Sequence, residues 1–307
     1  MTRSILAACV PLLLSVAHAD EERNLMELVA GWGTDLNDIQ LHSEALSAGL
    51  FVIRGAGGAA VASIGDDGAL LVDDQFAQGV PHLERELATL GADGLDYVIN
   101  THWHFDHADG NPALGAAGAR IIAHTESRNK MMVENKVAYV GQYYMQPPYS
   151  EAGLPEITFD ESMSLHFNGQ RVDVRYFGPA HTAGDAVVYF RGDNIVHVGD
   201  LYSNRYPYID AGNGGSLRGL IAVCEDLLSW TDSDTLIVSG HSPDAARDNL
   251  RAYLNMLQSV ERDLSELARV DATLEDVLAA GITEQYDGAR GNPTLFLTMA
   301  YRSIASD

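Results

Sequence analysis

Three histidines and an aspartate fall within six residues of the stretch THWHFDHADGN, which runs from Thr101 to Asn111. His102, His104, Asp106 and His107 carry imidazole nitrogen and carboxylate oxygen, donors that zinc binds well. The stretch follows the apolar run LDYVIN, which reads as a buried strand. On a loop leaving a strand end, side chains this close in sequence can converge on one small volume. A helix would send neighbouring positions to different faces. A catalytic metal site also keeps one coordination position open for water. Four donors are too many for one open site and too few for two, so further donors must lie downstream.

Three candidates have the right setting. His181 lies in FGPAHTAGD after the strand-like VDVRYF, Asp200 ends NIVHVGD, and His241 ends DTLIVSGH. Each closes an apolar run and precedes turn-forming residues. A strand end is where a scaffold can fix a ligand rigidly while solvent still reaches it. His18, His42, His82, His166 and His197 lack this setting and are read as structural or solvated.

The elements that must position these residues are short and mixed. Residues 44–74 read as strands separated by Gly and Asp, and AQGVPHLERELATLG has helical apolar spacing ending on glycine. ARIIAH is a strand that leads into a helix through TESRNKMMVENKV, and residues 139–156 read as a loop rich in aromatics, Pro and Gly. MSLHFNGQRVDVRYF predicts a hairpin turning at Asn168-Gly169, followed by the strands AVVYF and NIVHVGD. SLRGLIAVCEDLLSW and residues 244–268 are helical, with the strand DTLIVSGH between them. Two sets of strands, each accompanied by helices, predict an α/β fold of four layers.

The 307 residues suffice for a sizeable core, and the formal net charge of -24 makes the surface strongly acidic. Such a surface repels phosphate backbones and anionic lipid, which argues against nucleic-acid partners and stable membrane insertion; the expected partner is a small-molecule substrate. The opening MTRSILAACVPLLLSVAHAD has one early Arg, an apolar run and the small-x-small triplet Ala17-His18-Ala19. It reads as a secretory signal peptide, residues 1–19, cleaved after Ala19 to give a periplasmic or secreted protein. Residues 20–307 then form a single domain whose C-terminal helical extension spans about 244–307. The mature chain keeps one cysteine, Cys224, so no internal disulfide framework is expected. Cys224 sits inside a helix and reads as a small buried apolar residue.

THWHFDH matches the H-x-H-x-D-H signature of the metallo-β-lactamase superfamily, and PAHTAGD, HVGD and SGH resemble its remaining metal motifs in the right order. The resemblance implies an αββα sandwich of two mixed sheets with outer helices and a metal site at one edge. It implies that His102, His104 and His181 hold a first zinc, that Asp106, His107 and His241 hold a second, and that Asp200 bridges both. Asp73 in LLVDD resembles the carboxylate that orients a ligand histidine, with Asp74 as the neighbouring alternative. Typical zinc β-lactamases of the superfamily carry cysteine or serine at the position of Asp200. An aspartate there resembles the glyoxalase II, lactonase and ribonuclease Z branches.

The implied chemistry is hydrolysis of an amide or ester carbonyl by a hydroxide shared between two zinc ions, with a β-lactam-type cyclic amide or a lactone as substrate. Asp106 would be the catalytic carboxylate that orients the nucleophile. Iron or manganese remains an alternative metal. No G-x-S-x-G elbow occurs, so a serine nucleophile is a poor reading. Tyr144, in an aromatic stretch, and Tyr202, Asn204 and Arg205, just past Asp200, are the candidate substrate contacts. Arg205 suits a carboxylate-bearing substrate or, equally, a local acidic partner. The competing functions are thioester hydrolysis of the glyoxalase II type and a mono-iron persulfide dioxygenase-like oxidoreductase; the latter would have no need of His107 and His241. A non-catalytic metal binder ranks below these, and ribonuclease Z-like processing conflicts with the charge.

Overall fold

The computed structural model describes residues 20–55 and 57–305. The proposed signal peptide lies outside the described residues. Two sheets stack face to face. The larger has seven strands, ordered Ile157–Phe159, Arg120–His124, Tyr97–Ile99, Gly68–Val72, Ala60–Gly65, Leu50–Arg54, His42–Ser47. Its half from Gly68 onward is parallel, and the half before it is an antiparallel meander. The second sheet has five strands, ordered Ser162–Phe167, Gln170–Tyr176, Ala186–Phe190, Ile195–His197, Leu236–Val238.

Alternation drives the stacking. Leu50, Val52, Val61, Leu70 and Val72 of the first sheet share one buried cluster with Val172, Val174, Val188 and Phe190 of the second. Each outer face takes helices. Val80–Thr89 lays Leu83 and Leu87 on Ile53, Ala62 and Leu71 of the first sheet. Leu217–Trp230, Arg247–Ala268 and Thr294–Ala305 pack with Val187, Val196 and Ile237 over the second. Cys224 is buried among them, where desolvation pushes its thiol well up and makes it inert. This is the four-layer αββα arrangement expected from the strand and helix order.

The hairpin predicted at Asn168-Gly169 forms there. Both residues have positive φ, 50° and 76°, and strands Ser162–Phe167 and Gln170–Tyr176 pair directly across them.

Two regions differ from the sequence reading. The helix after ARIIAH stops at Met131, because Asn135 donates its side-chain amide to the carbonyls of Lys130 and Val133 and closes the last turn. The chain then forms a strand, Asn135–Ala138. The stretch read as a loop, residues 139–156, contains a second strand, Gln142–Gln146. It pairs antiparallel with Asn135–Ala138 and parallel with Glu21–Arg23. Aromatic Tyr143 and Tyr144 favour this extended form, but the partner Glu21–Arg23 is polar and carries no strand signal. The small sheet they make sits beside the mouth of the site.

Candidate metal centre

Every residue named as a candidate donor arrives at one end of the two sheets. The parallel strands Gly68–Val72 and Tyr97–Ile99 deliver Asp73 and the 101–107 segment at their C-terminal ends, and Ile195–His197 and Leu236–Val238 deliver Asp200 and His241. Ligand sites of open α/β sheets form at this edge because loops there are held by rigid strands. The local structure departs from the expected loop in one respect. His102 lies in a bend and His104 on extended chain, whereas Asp106 and His107 ride a single helical turn, Phe105–Ala108. One turn suffices to swing the second pair to the far side of the cluster, and the helix is too short to spread its faces apart. Asp200 likewise sits on a 3-10 turn, Gly199–Leu201, rather than on the strand itself.

His102, His104 and His181 bring one donor atom each into a common volume, and so do Asp106, His107 and His241, while Asp200 groups with His102 and His107. His104 Nδ1 lies 3.1 Å from His102 Nε2 and 3.0 Å from His181 Nε2. The far side of each ring decides what these short distances mean. His104 Nε2 donates to Asp210 Oδ2 at 3.0 Å, and His181 Nδ1 donates to the Tyr208 carbonyl at 2.9 Å. Thr101 donates its hydroxyl to Asp73 and so accepts from His102 Nδ1 at 3.1 Å. With all three protons facing outward, three lone pairs face one another. Lone pairs cannot hydrogen-bond to each other, and the contact is favourable only around a cation. Burial, followed by the neighbouring His107, His181 and His104, lowers the basicity of His102 well below its usual range, keeping it a neutral ligand.

The second triad shows the same logic with more negative charge. His107 Nδ1 donates to Asp73 Oδ2 at 2.8 Å, so Asp73, the expected orienting carboxylate, is in contact with His107. Asp73 also accepts from the Thr101 amide at 2.7 Å and adopts φ 61°, a conformation that costs energy in a non-glycine residue. His107 Nε2 lies 3.2 Å from His241 Nε2, and His241 Nε2 lies 3.0 Å from Asp106 Oδ2. Burial alone would raise the Asp106 carboxyl, but His107 and His241 outweigh it and hold it at about 2. Asp200 stands between the triads. Its Oδ1 is 3.3 Å from His107 Nε2, and its Oδ2 is 3.7 Å from His181 Nε2 and 3.4 Å from His241 Nε2. That Oδ1 is buried without a hydrogen-bond partner. A buried, unpaired carboxylate oxygen beside these imidazoles fits two cations that share it, and the carboxylates, overcoming burial, push His107 and His241 up toward the positive charge such cations would supply. Burial works against ionisation of Asp200, yet His241 and His107 reverse that and hold its pKa well below normal.

Two glycines make room. A Cβ at Gly58 would lie 2.2 Å from the His107 ring, and one at Gly240 would lie 2.3 Å from Asp200 Oδ1. Asp74 makes no comparable contact with the rings. It is buried, accepts from the Gly110 amide and is pushed well up, first by desolvation and then by Asp73. His197 is spent on the backbone, donating to the Ala59 carbonyl at 2.8 Å and accepting from the Gly199 amide at 3.1 Å.

The cluster forms the floor of a cavity of about 550 Å³. Its wall is mostly aromatic: Trp32, Phe76, Phe105, Tyr139 and Tyr208, with Leu295 and Arg205. Of the candidate substrate contacts, Arg205 borders this cavity, and its guanidinium makes no ion pair among the described residues. Tyr202 and Arg205 border an adjoining chamber of about 210 Å³. Tyr202 packs edge-on against Tyr253 in the core, and Asn204 accepts from Ser242. Tyr144 stands outside the cavity lining, edge-on to Phe105 at 5.2 Å. Sequence reasoning missed Asp210, Trp32, Tyr139 and Tyr208. The one available sign of Asp210 was its place in the glycine-rich turn IDAGNGG.

A family model of the metallo-beta-lactamase superfamily matches residues 57–241, more than half of the chain. The chain belongs to this superfamily. A hydroxyacylglutathione hydrolase from Polaromonas sp. is 29% identical over 174 residues, which cover 56% of this chain and 57% of that protein. The chain thus spans little more than half the length of that relative. A metallo-beta-lactamase from Pontibacter korlensis superposes with TM-score 0.59 at 20% identity, over 71% of this chain and 99% of that one. The stereoselective inverting sec-alkylsulfatase Pisa1 from Pseudomonas sp. gives 0.66 at 13% identity, over 87% of this chain and 50% of that one. At such identities the structures speak for the metallo-beta-lactamase fold alone. All seven candidate donors fall within the matched segment, whereas Trp32 and Leu295 lie outside it.

Proposed function

We propose that the chain is a two-zinc hydrolase that cleaves the carbonyl bond of a small substrate, a β-lactam-type cyclic amide or a lactone. The observation that carries this reading is the pair of donor triads sharing Asp200 at the floor of an aromatic cavity. His102, His104 and His181 would hold the first ion, Asp106, His107 and His241 the second, and Asp200 both. Such a pair supplies a water whose pKa has fallen towards ~7 and a Lewis acid for the carbonyl oxygen.

The chain's own groups do the rest. Asp106 stays ionised at working pH and can accept a hydrogen bond, fixing the orientation of whatever carries the proton beside it. Asp210, Tyr208 and Asp73 hold the outward N–H groups of His104, His181 and His107, fixing each ring's tautomer and direction. Arg205, a guanidinium with no ion pair among the described residues at the cavity edge, suits a substrate carboxylate. The aromatic wall lines the approach to the floor.

Thioester hydrolysis is the second reading, supported by the hydroxyacylglutathione hydrolase relative. A mono-iron oxidoreductase would leave the triad of Asp106, His107 and His241 without a role. Export follows from the N-terminal apolar run and is tested by N-terminal sequencing of protein recovered from the periplasm. The function is tested by loading purified protein with zinc and assaying β-lactams, lactones, thioesters and phosphodiesters. Turnover of a cyclic amide or lactone is the expected result, and turnover of thioesters alone selects the second reading. Tight stoichiometric iron with no hydrolysis after zinc loading overturns both.

None of the described helices is long and apolar enough to cross a membrane.

A further inference from the structure

Among the described residues, Trp32 is the only aromatic side chain in the set of exposed large hydrophobics, with 46% of its surface accessible. Its position is nevertheless fixed. The arm that carries it pairs Glu21–Arg23 with Gln142–Tyr144, then turns into the helix Leu25–Gly31. Asn24 and Glu27 cap that helix reciprocally, and Leu28 and Val29 bury against the core beneath the site. Trp32 follows directly, stacked on Phe105 with ring centroids 6.1 Å apart and planes 16° apart. It also meets Tyr139 edge-on at 5.6 Å, and Tyr139 in turn stacks on Tyr208. All four rings border the cavity above the donor cluster. A tryptophan held this firmly, lining the cavity and still accessible, has surface to offer a ligand.

We infer that Trp32 and Tyr139 form a subsite for an aromatic ring on the acyl side of the substrate, so that the N-terminal arm selects aryl-bearing carbonyl compounds. This deepens the hydrolase reading and rests on it for the word substrate. The ring stacks against the accessible face of Trp32 while its carbonyl group lies over Asp200 and the histidines. An offset or edge-on ring pair of this kind adds binding beyond simple area burial, and burying the ligand ring itself adds more. The cavity volume lies within the range of small-molecule sites and takes a ring together with a carboxylate-bearing second half. Trp32 precedes the segment that matches the superfamily model, whereas Tyr139 lies within it.

The test compares phenylacetate with acetate, which share a carboxylate and differ by one ring. Binding of each to the zinc-loaded full chain is measured by calorimetry, with no need for turnover. Wild type is expected to favour phenylacetate by roughly tenfold or more, Trp32→Ala to lose most of that preference, and Trp32→Phe to keep much of it. Equal affinity for the two acids in wild type, or an undiminished preference in Trp32→Ala, overturns the subsite. Aryl preference in a protein that hydrolyses no carbonyl compound defeats the hydrolase reading alone. Hydrolysis without aryl preference defeats the subsite alone.

Discussion

The floor of the cavity and its wall are built on different principles. The floor is polar and, apart from the 43% exposed side chain of His241, buried: His102, His107 and His181 are at most 1% exposed, and their outer nitrogens are each tied to a fixed partner. The wall is aromatic and partly open, and its rings pack mainly on one another, with the Tyr208 hydroxyl also donating to the Ala138 carbonyl. All floor residues come from the stretch shared with the superfamily, while Trp32 and Leu295 come from the two flanks. The difference teaches where chemistry and selectivity separate in this molecule. Converging lone pairs tolerate little change, because each removed donor leaves a buried charge or dipole unpaired. Ring contacts are adaptable and can alter without disturbing the floor.

If that separation holds, changes to the floor must cost far more than changes elsewhere. Asp106→Asn keeps the shape but removes the charge from the second triad. It should lower kcat on the best substrate by on the order of a hundredfold or more, with the wall and its ligand preference intact. Parental activity in that variant would break the two-triad account of the floor.

One layer out, Asp210→Asn leaves all seven donors in place. It frees His104 to take the other tautomer, since an amide can donate where the carboxylate only accepts. Metal affinity should fall by about 10–100-fold, measured by competition with a chromogenic chelator. No change would show that Asp210 does not set the direction of His104.

The smallest effect belongs to a site remote from both regions. Asp173 on the second sheet accepts from Ser164 and pairs with Arg171 and Arg191. Burial would raise its carboxyl, but Ser164 and the two arginines outweigh that and lower it. A lowered folded-state pKa means stability present above the unfolded value and lost as pH falls through the folded one. Asp173→Asn should therefore drop Tm by a few degrees at pH 7, by steadily less below pH 4, and leave metal content unchanged. An equal drop at pH 3 would show that the charge is not what matters.

The contrast between floor and wall also explains what the sequence made legible. The donors were readable because THWHFDH concentrates four of them, and because His181, Asp200 and His241 each close an apolar strand. Asp73 was readable from the strand it ends. Asp210 was not, since its role depends on a turn that brings residue 210 back to residue 104 through 106 positions of sequence. The αββα layers followed from strand and helix order, yet the small sheet escaped notice. Its strand Glu21–Arg23 is polar and gains its pairing only from the tertiary position of Gln142–Gln146. Trp32 looked like any surface residue, because nothing local tells a tryptophan at a helix end that a cavity lies beside it.

The central claim is that the floor holds two cations that share Asp200. The most direct measurement is the number of zinc ions retained per chain after loading and exhaustive dialysis, for wild type and for His107→Ala. The account predicts roughly two in wild type and about one in the variant, because His107 serves the second triad while His102, His104 and His181 stay intact. One ion in both proteins, or two in both, would contradict it.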